Sequence, residues 1–224
     1  MKKRAVLIGM CLALVATASV LGTLAYLTDT DGAVNTFTIG QVDIALDEAD
    51  VDEDGRLIVD EKGQPVDRVQ GNEYHLIPGR TYIKDPTITV KSGSEEAYVR
   101  MMVTVTRAKE LNAIFAPEGA DLAAIFDGYD PERWACIGSV TNETDNTITY
   151  EFRWHEPVAG GDEDAMLDAL FKTFTVPGEI TGEELKTIQG MQITVTGHAI
   201  QAAGFDDADA AWEAFASQMA DDGQ

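Results

Sequence analysis

AYVRMMVTVT, Ala97–Thr106, alternates with a period of two. Val99, Met101, Val103 and Val105 point one way, and Tyr98, Arg100, Met102, Thr104 and Thr106 the other. That is the pattern of a half-buried strand, with the valine-rich set as its core face. Outward from it the same signal recurs. DPTITV (85–90) precedes it across the turn-forming KSGSEE, and RWACIGSV (133–140) and TITYEFRW (147–154) follow, joined as a hairpin by TNETDN. MQITVTGHAIQAAGF carries the last strand, with Ile193, Val195, Gly197 and Ala199 on one side. NTFTIGQVDIAL, Asn35–Leu46, reads as the first, bent at Gly40-Gln41. About eight short strands separated by turns predict a mainly all-β fold, an antiparallel β-sandwich or jelly roll.

Helices are expected only as additions. Leu111–Phe126 reads as a helical insertion interrupted at Pro117, and GGDEDAMLDALFKTFTVP as a loop, a short helix and a strand. Residues 206–220 predict a C-terminal helix capped by Asp206-Asp207, with Ala208, Ala211, Trp212, Phe215 and Met219 on one face. That face is expected to dock on the sandwich, since the opposite face is acidic and ill suited to an anionic bilayer. Residues 47–70 read as an acidic hairpin insert, and Leu76–Arg80 as a turn. There is no internal repeat, and 26–224 is expected to be a single domain.

The formal charge of −23 argues against nucleic acid, whose phosphates need clustered Lys and Arg. An acidic surface instead suits solubility and divalent or cationic partners. The hydrophobic fraction of 45% is enough for a packed core.

The N-terminus explains where such a chain goes. Lys2, Lys3 and Arg4 form a positive start, Ala5–Ala25 carries no charge, and Thr23-Leu24-Ala25 offers small residues at a cleavage site. The favoured reading is a signal peptide, 1–25, cut between Ala25 and Tyr26. Its loss removes three cations and takes the charge from −23 to −26. The rival reading is a retained anchor, because an apolar run of about 21 residues can span a bilayer. Either way the rest of the chain is expected outside the cytoplasm, secreted or at the cell surface. Cys11 falls inside the apolar run, leaving Cys136 as the only thiol of a cleaved chain and no internal disulfide. Beside Trp134 and Ile137 it reads as a buried, inert thiol.

Few motifs carry chemistry. DVDEDGRLIVDE, Asp50–Glu61, fits the spacing of a calcium loop, with Asp50, Asp52 and Asp54 alternating, Gly55 at the bend and Glu61 closing. Its neighbours read as strands rather than helices, so the preferred reading is a hairpin tip turning at Asp54-Gly55, with calcium as the alternative and no other cofactor expected. His75, His155 and His198 lie on separate predicted strands, and no spacing among them requires zinc. No nucleophile motif is present, so no catalytic residue is assigned. Asn142-Glu143-Thr144 matches a glycosylation sequon, and Gly160-Gly161 precedes an acidic run that would repel phosphate.

Three blocks together resemble the TasA/camelysin-like secreted proteins of Gram-positive bacteria, whose signal peptide is cut by the dedicated signal peptidase SipW. They are GTLAYLTDTDGAVNTFTIGQVDIAL, then IPGRTYIKDPTITV with AYVRMMVTV, and the closing HAIQAAGF with Ala211-Trp212. They cover under half of the chain. The resemblance implies a jelly roll, an extracellular or cell-surface place, and for some members assembly into biofilm matrix fibres. It implies SipW as the export partner, contact with the membrane only before cleavage, and self-assembly or other matrix proteins as later partners. Cleavage would leave Tyr26 as the start of an arm able to add as a strand to a neighbouring subunit, with Phe37, Ile39, Val42 and Ile44 as the assembly strand. The same segment can instead pair inside its own sandwich. Camelysin-like members are classed as metallo-endopeptidases, and here His75, His155 and His198 are the only histidines for that alternative. The acidic loop at 50–61 would serve a third reading, a calcium-dependent adhesion module.

Overall fold

The computed structural model describes residues 42–115 and 125–222. The expected signal peptide with its cut between Ala25 and Tyr26, the bend at Gly40-Gln41, the assembly residues Phe37 and Ile39, and Pro117 lie outside them. Among the described residues there are ten strands, all paired antiparallel, in three sheets. They are β1 (Ile44–Asp47), β2 (Thr81–Ile83), β3 (Thr87–Val90), β4 (Ala97–Thr106), β5 (Phe126–Asp127), β6 (Trp134–Asn142), β7 (Thr147–Trp154), β8 (Ala165–Met166), β9 (Thr173–Thr175) and β10 (Ile193–Gln201). Three helices accompany them, α1 (Ala108–Phe115), α2 (Gly182–Thr187) and α3 (Ala208–Asp222).

The largest sheet runs β10-β4-β7-β6 and has β4 at its heart. Alternation in β4 is complete: Val99, Met101, Val103 and Val105 are buried and the intervening residues half-buried. Register carries the same face across the sheet, setting Val103 between Val195 and Tyr150, and Met101 between Gly197 and Phe152. Against this face lie the sheets β1-β3-β8 and β2-β9-β5. Ile88, Val90, Tyr82 and Phe174 complete one continuous core. Gly197 sits where the layers meet, a Cβ there falling 3.0 Å from Ile88 and 3.4 Å from Ile44. The mainly all-β, sandwich-like reading therefore holds. The ladders make three sheets, whereas a jelly roll divides its strands between two.

The predicted strands at 85–90, 97–106, 133–140, 147–154 and 192–201 are all present. Other expectations are corrected. The helical insertion read over Leu111–Phe126 gives α1 at Ala108–Phe115, whereas Phe126 lies in β5 and pairs with Phe174. The segment after Gly160 holds no helix: β8 and an extended run carry Leu167, Leu170 and Phe171 into the core, using their bulk rather than any helical spacing. Cys136 is exposed, because β6 is an edge strand whose exposed residues run from Cys136 to Asn142. Ile137 and Val140 on it are 50% and 75% exposed.

Asp207 immediately precedes α3, and its carboxylate accepts the Ala210 N–H at 2.9 Å, an N-cap. Ala211 and Trp212 are buried against Ile200, with Phe215 packed beside them, so the helix covers one end of the outer face of the large sheet. Met219, expected on the same face, is exposed. No described helix is long and apolar enough to cross a membrane.

Candidate functional site

Two features of the described residues are built for contact, and a third binds the acidic insert to the body. The first is the outer edge of β1. Lys91 donates to the Asp43 carbonyl at 2.9 Å, and the ladder pairs Ala45 with Thr89 and Asp47 with Thr87. In an antiparallel pair hydrogen-bonded and open positions alternate. The main-chain groups of Ile44 and Leu46 therefore face away from β3. At Glu48 that edge is closed by Val69, through bonds of 2.7 and 2.8 Å. Of the assembly residues named from sequence, Ile44 is in register with Val90 of its own chain, and Val42 lies just before the strand.

The second feature is a cleft of about 980 Å³ walled by the 72–76 segment, β9, α2 and the loop leading into β10. Its apolar lining includes Tyr74, Phe174, Leu185, Ile188 and Met191. Asn72, Lys84 and His75 also reach it. Tyr82 stacks on Phe174 at 5.1 Å, and Tyr74 meets both rings edge-on. Burial first, and then the nearby Glu48 charge, push the Tyr74 phenol well above its ordinary range. Its hydroxyl donates to the Ile83 carbonyl at 3.0 Å.

The insert is fastened to the body by a cluster of which Asn72 and Lys84 also line the cleft. Its hairpins are pinned at Val51–Leu57 and Val59–Pro65. Arg68 on the return branch donates to Asp47 at 2.5 Å, to the Asp85 carboxylate at 3.0 Å and to the Thr87 hydroxyl at 3.0 Å. Beside it Lys84 and Glu48 form a buried ion pair of 2.5 Å, and Asn72 donates to the second Glu48 oxygen at 3.0 Å. None of these residues was singled out from sequence. They are scattered over 47–87 and joined only by pairing of β1 with β3 and by the fold-back of the insert.

The calcium reading is answered by geometry. The Asp52 carboxylate caps its own turn, accepting the Arg56 N–H at 2.9 Å, and Asp54 is held by Arg56 at 2.8 Å and by Arg80. Gly55 turns the chain with φ 74°, as the hairpin reading requires. The carboxylates of Asp52 and Asp54 are thus engaged by a turn amide and by two arginines. The histidines are dispersed: His75 lies by the cleft, His155 after β7, and His198 on the outer face of β10 against Phe215. Among the described residues no group of three or more His, Cys, Asp or Glu is placed to hold a metal ion.

No family model, curated protein or solved structure matches the chain. The functional reading rests on the residues themselves.

Proposed function

We propose that this is a secreted, non-enzymatic structural protein of an extracellular matrix or cell surface, which assembles by adding its N-terminal arm as a strand to a neighbour. The observation that carries the reading is the short distance in sequence between a signal-type segment and an edge strand. Ala25 is separated by fewer than twenty residues from β1, whose outer edge presents Ile44 and Leu46. Because Ile44 is committed to Val90, the exchanged part lies upstream of Asp43 and takes its side-chain register from Phe37 and Ile39. The receiving edge is β6. Among the described residues only β7 pairs with it, and its exposed Ile137 and Val140 form the kind of long edge that soluble monomers normally blunt. A head-to-tail contact of that kind does not close on itself, so it propagates. A dedicated signal peptidase is the partner during export, and further copies or other matrix proteins are the partners afterwards.

The test has two parts. N-terminal sequencing of the exported chain should begin at Tyr26; a chain still starting at Met1 defeats the release step. Electron microscopy should show fibres from a chain beginning at Tyr26 and none from one that also lacks residues 26–42, the proposed exchanged arm with Phe37 and Ile39. Fibres from both would discard strand exchange, and fibres from neither would discard assembly.

A further inference from the structure

We propose that the folded chain joins Lys84 to Asn72 by an intramolecular isopeptide bond, with Glu48 carrying the proton between them. The inference goes beyond the structural role above and stands on three side chains alone.

Lys84 follows β2, Glu48 follows β1, and Asn72 follows the acidic insert. The lysine and glutamate side chains are 9% and 5% exposed, with Nζ 2.5 Å from one Glu48 oxygen. The other oxygen accepts from Asn72 Nδ2 at 3.0 Å. One carboxylate thus bridges an amine and a carboxamide. The carboxamide is held at both ends by main chain: Nδ2 also donates to the Ala49 carbonyl at 2.8 Å, and Oδ1 accepts the Val51 N–H at 3.1 Å.

An ammonium and an amide do not condense in water, because the amine has no free lone pair and the amide is a poor electrophile. Each obstacle is met here. Passing a proton from Lys84 Nζ to the Glu48 oxygen 2.5 Å away yields a neutral pair and a nucleophilic amine. The Val51 N–H is already aimed at Oδ1, where negative charge develops as Nζ attacks Cγ. The shared carboxylate keeps the partners together, which replaces an encounter with an intramolecular step. Glu48 then protonates Nδ2.

The atoms balance without oxidant or cofactor. The Nζ–Cγ bond forms, the Cγ–Nδ2 bond breaks and nothing is oxidised. Glu48 hands its first proton to Nδ2, which leaves as ammonia, and accepts the surplus proton from Nζ. That proton passes to the departing ammonia, so a lysine ammonium and a carboxamide become a secondary amide and an ammonium ion. The way out is open, since Asn72 and Lys84 both line the cleft. The product ties the end of the acidic insert covalently to the strand it packs beside.

Mass spectrometry of the denatured, trypsin-digested full chain tests this. The expected product is a branched peptide joining 69–80 to 81–91, uncut after Lys84 and lighter than its two parts by one ammonia. Asn72→Ala leaves Lys84 and Glu48 in place but removes the electrophile; it should give linear peptides cut after Lys84, with folding checked by its circular dichroism. Glu48→Gln should lose most of the branched species although both reacting residues remain. Linear 69–80 together with cleavage after Lys84 in the unaltered protein would overturn the proposal and leave a structural ion pair. A branched peptide that survives in Glu48→Gln would overturn the part given to Glu48.

Discussion

The Arg100 guanidinium lies 4.2 Å from the centre of the Trp212 ring, on the face of the large sheet that points away from the core. It also stands 4.9 Å from the Phe215 ring and 3.3 Å from a Glu151 oxygen. One cation therefore joins β4, β7 and α3. A second, Arg153, binds Glu151 at 2.6 Å and Asp209 of the helix at 2.5 Å. This sheet face is polar along most of β4 and β7, so the helix is held by charge on aromatic rings and by a small patch around Ile200 and Ala211.

The Trp212 indole N–H is buried without a hydrogen-bond partner among the described residues. Its contribution is then that of an aromatic surface. Trp212→Ala should release the helix at a cost of about 3–5 kcal/mol, whereas Trp212→Phe should cost much less, since it gives up an unpaired donor along with some area. Amide exchange across 208–215 measures both. Equal deprotection in the two variants would refute the argument.

Glycine at 55 and at 160 is required for different reasons. At Gly55 φ is 74°, and a Cβ would sit 2.4 Å from Tyr82 Cδ1 and 2.8 Å from Tyr82 Cα. At Gly160 a Cβ would meet the Lys91 carbonyl oxygen, part of a fixed main chain. Gly55→Ala and Gly160→Ala should each lower the melting temperature by several degrees, on the order of 1–3 kcal/mol. Gly63→Ala, where φ is also positive but space is open, should cost less than either. A Gly160→Ala protein that melts with the wild type would show that these segments do not pack as described.

What could be read in the residues follows from how local the signal is. β4 and its neighbours in the large sheet were legible because alternation over eight to ten residues leaves one consistent set of faces. The C-terminal helix was legible from its Asp cap and aromatic stripe. β2, β5 and β8 are two or three residues long and pair only with residues far away in sequence, so periodicity had nothing to act on. α2 was overlooked although Thr181 and Glu184 form a capping box, a signal present in the residues themselves. The Glu48–Lys84–Asn72 cluster was out of reach, because it depends on the insert folding back onto the end of β1.

Calcium should leave this protein unchanged. Asp54 is neutralised by Arg56 and Arg80, and Asp52 is engaged by a turn amide, so binding would first have to break those contacts. A ligand that binds only the folded state raises its melting temperature. Millimolar calcium and an excess of chelator should therefore give superimposable melting curves. A calcium-dependent rise would reinstate the adhesion reading for 50–61.

If β6 receives the arm of the next subunit, a charge on its edge should block fibres without unfolding the monomer. Val140 is 75% exposed, so Val140→Lys removes little packing and places a solvated cation on the strand, a common natural device against edge pairing. Fibre yield should collapse while the melting temperature stays within about 1–2 °C, the scale of a surface substitution. Undiminished fibres would move the receiving edge elsewhere.

Docking of α3 should also depend on pH, through His198. Arg100 Nε donates to His198 Nδ1 at 3.2 Å, so that nitrogen has to accept and the ring has to be neutral. Burial, and then the Arg100 charge, hold the imidazole below its ordinary pKa, with Glu151 pulling weakly the other way. The charged groups around it are Arg100 from β4, Glu151 and Arg153 from β7, and Asp209 from the helix. A histidine with its pKa depressed in the folded state binds more protons once released. Stability is thus full above the ordinary value of about 6.5 and falls as pH drops below it. The carboxylates of Glu110, Asp164 and Glu184 are held below the usual range by Asn146, by the Ser92 N–H and by the Thr181 N–H, so they titrate at lower pH. Exchange protection in 208–215, corrected for intrinsic rates, should decline as pH falls below about 6.5. His198→Gln, which keeps an acceptor for Arg100 but cannot take a proton, should flatten that decline. The same slope in both proteins would assign the effect to another group.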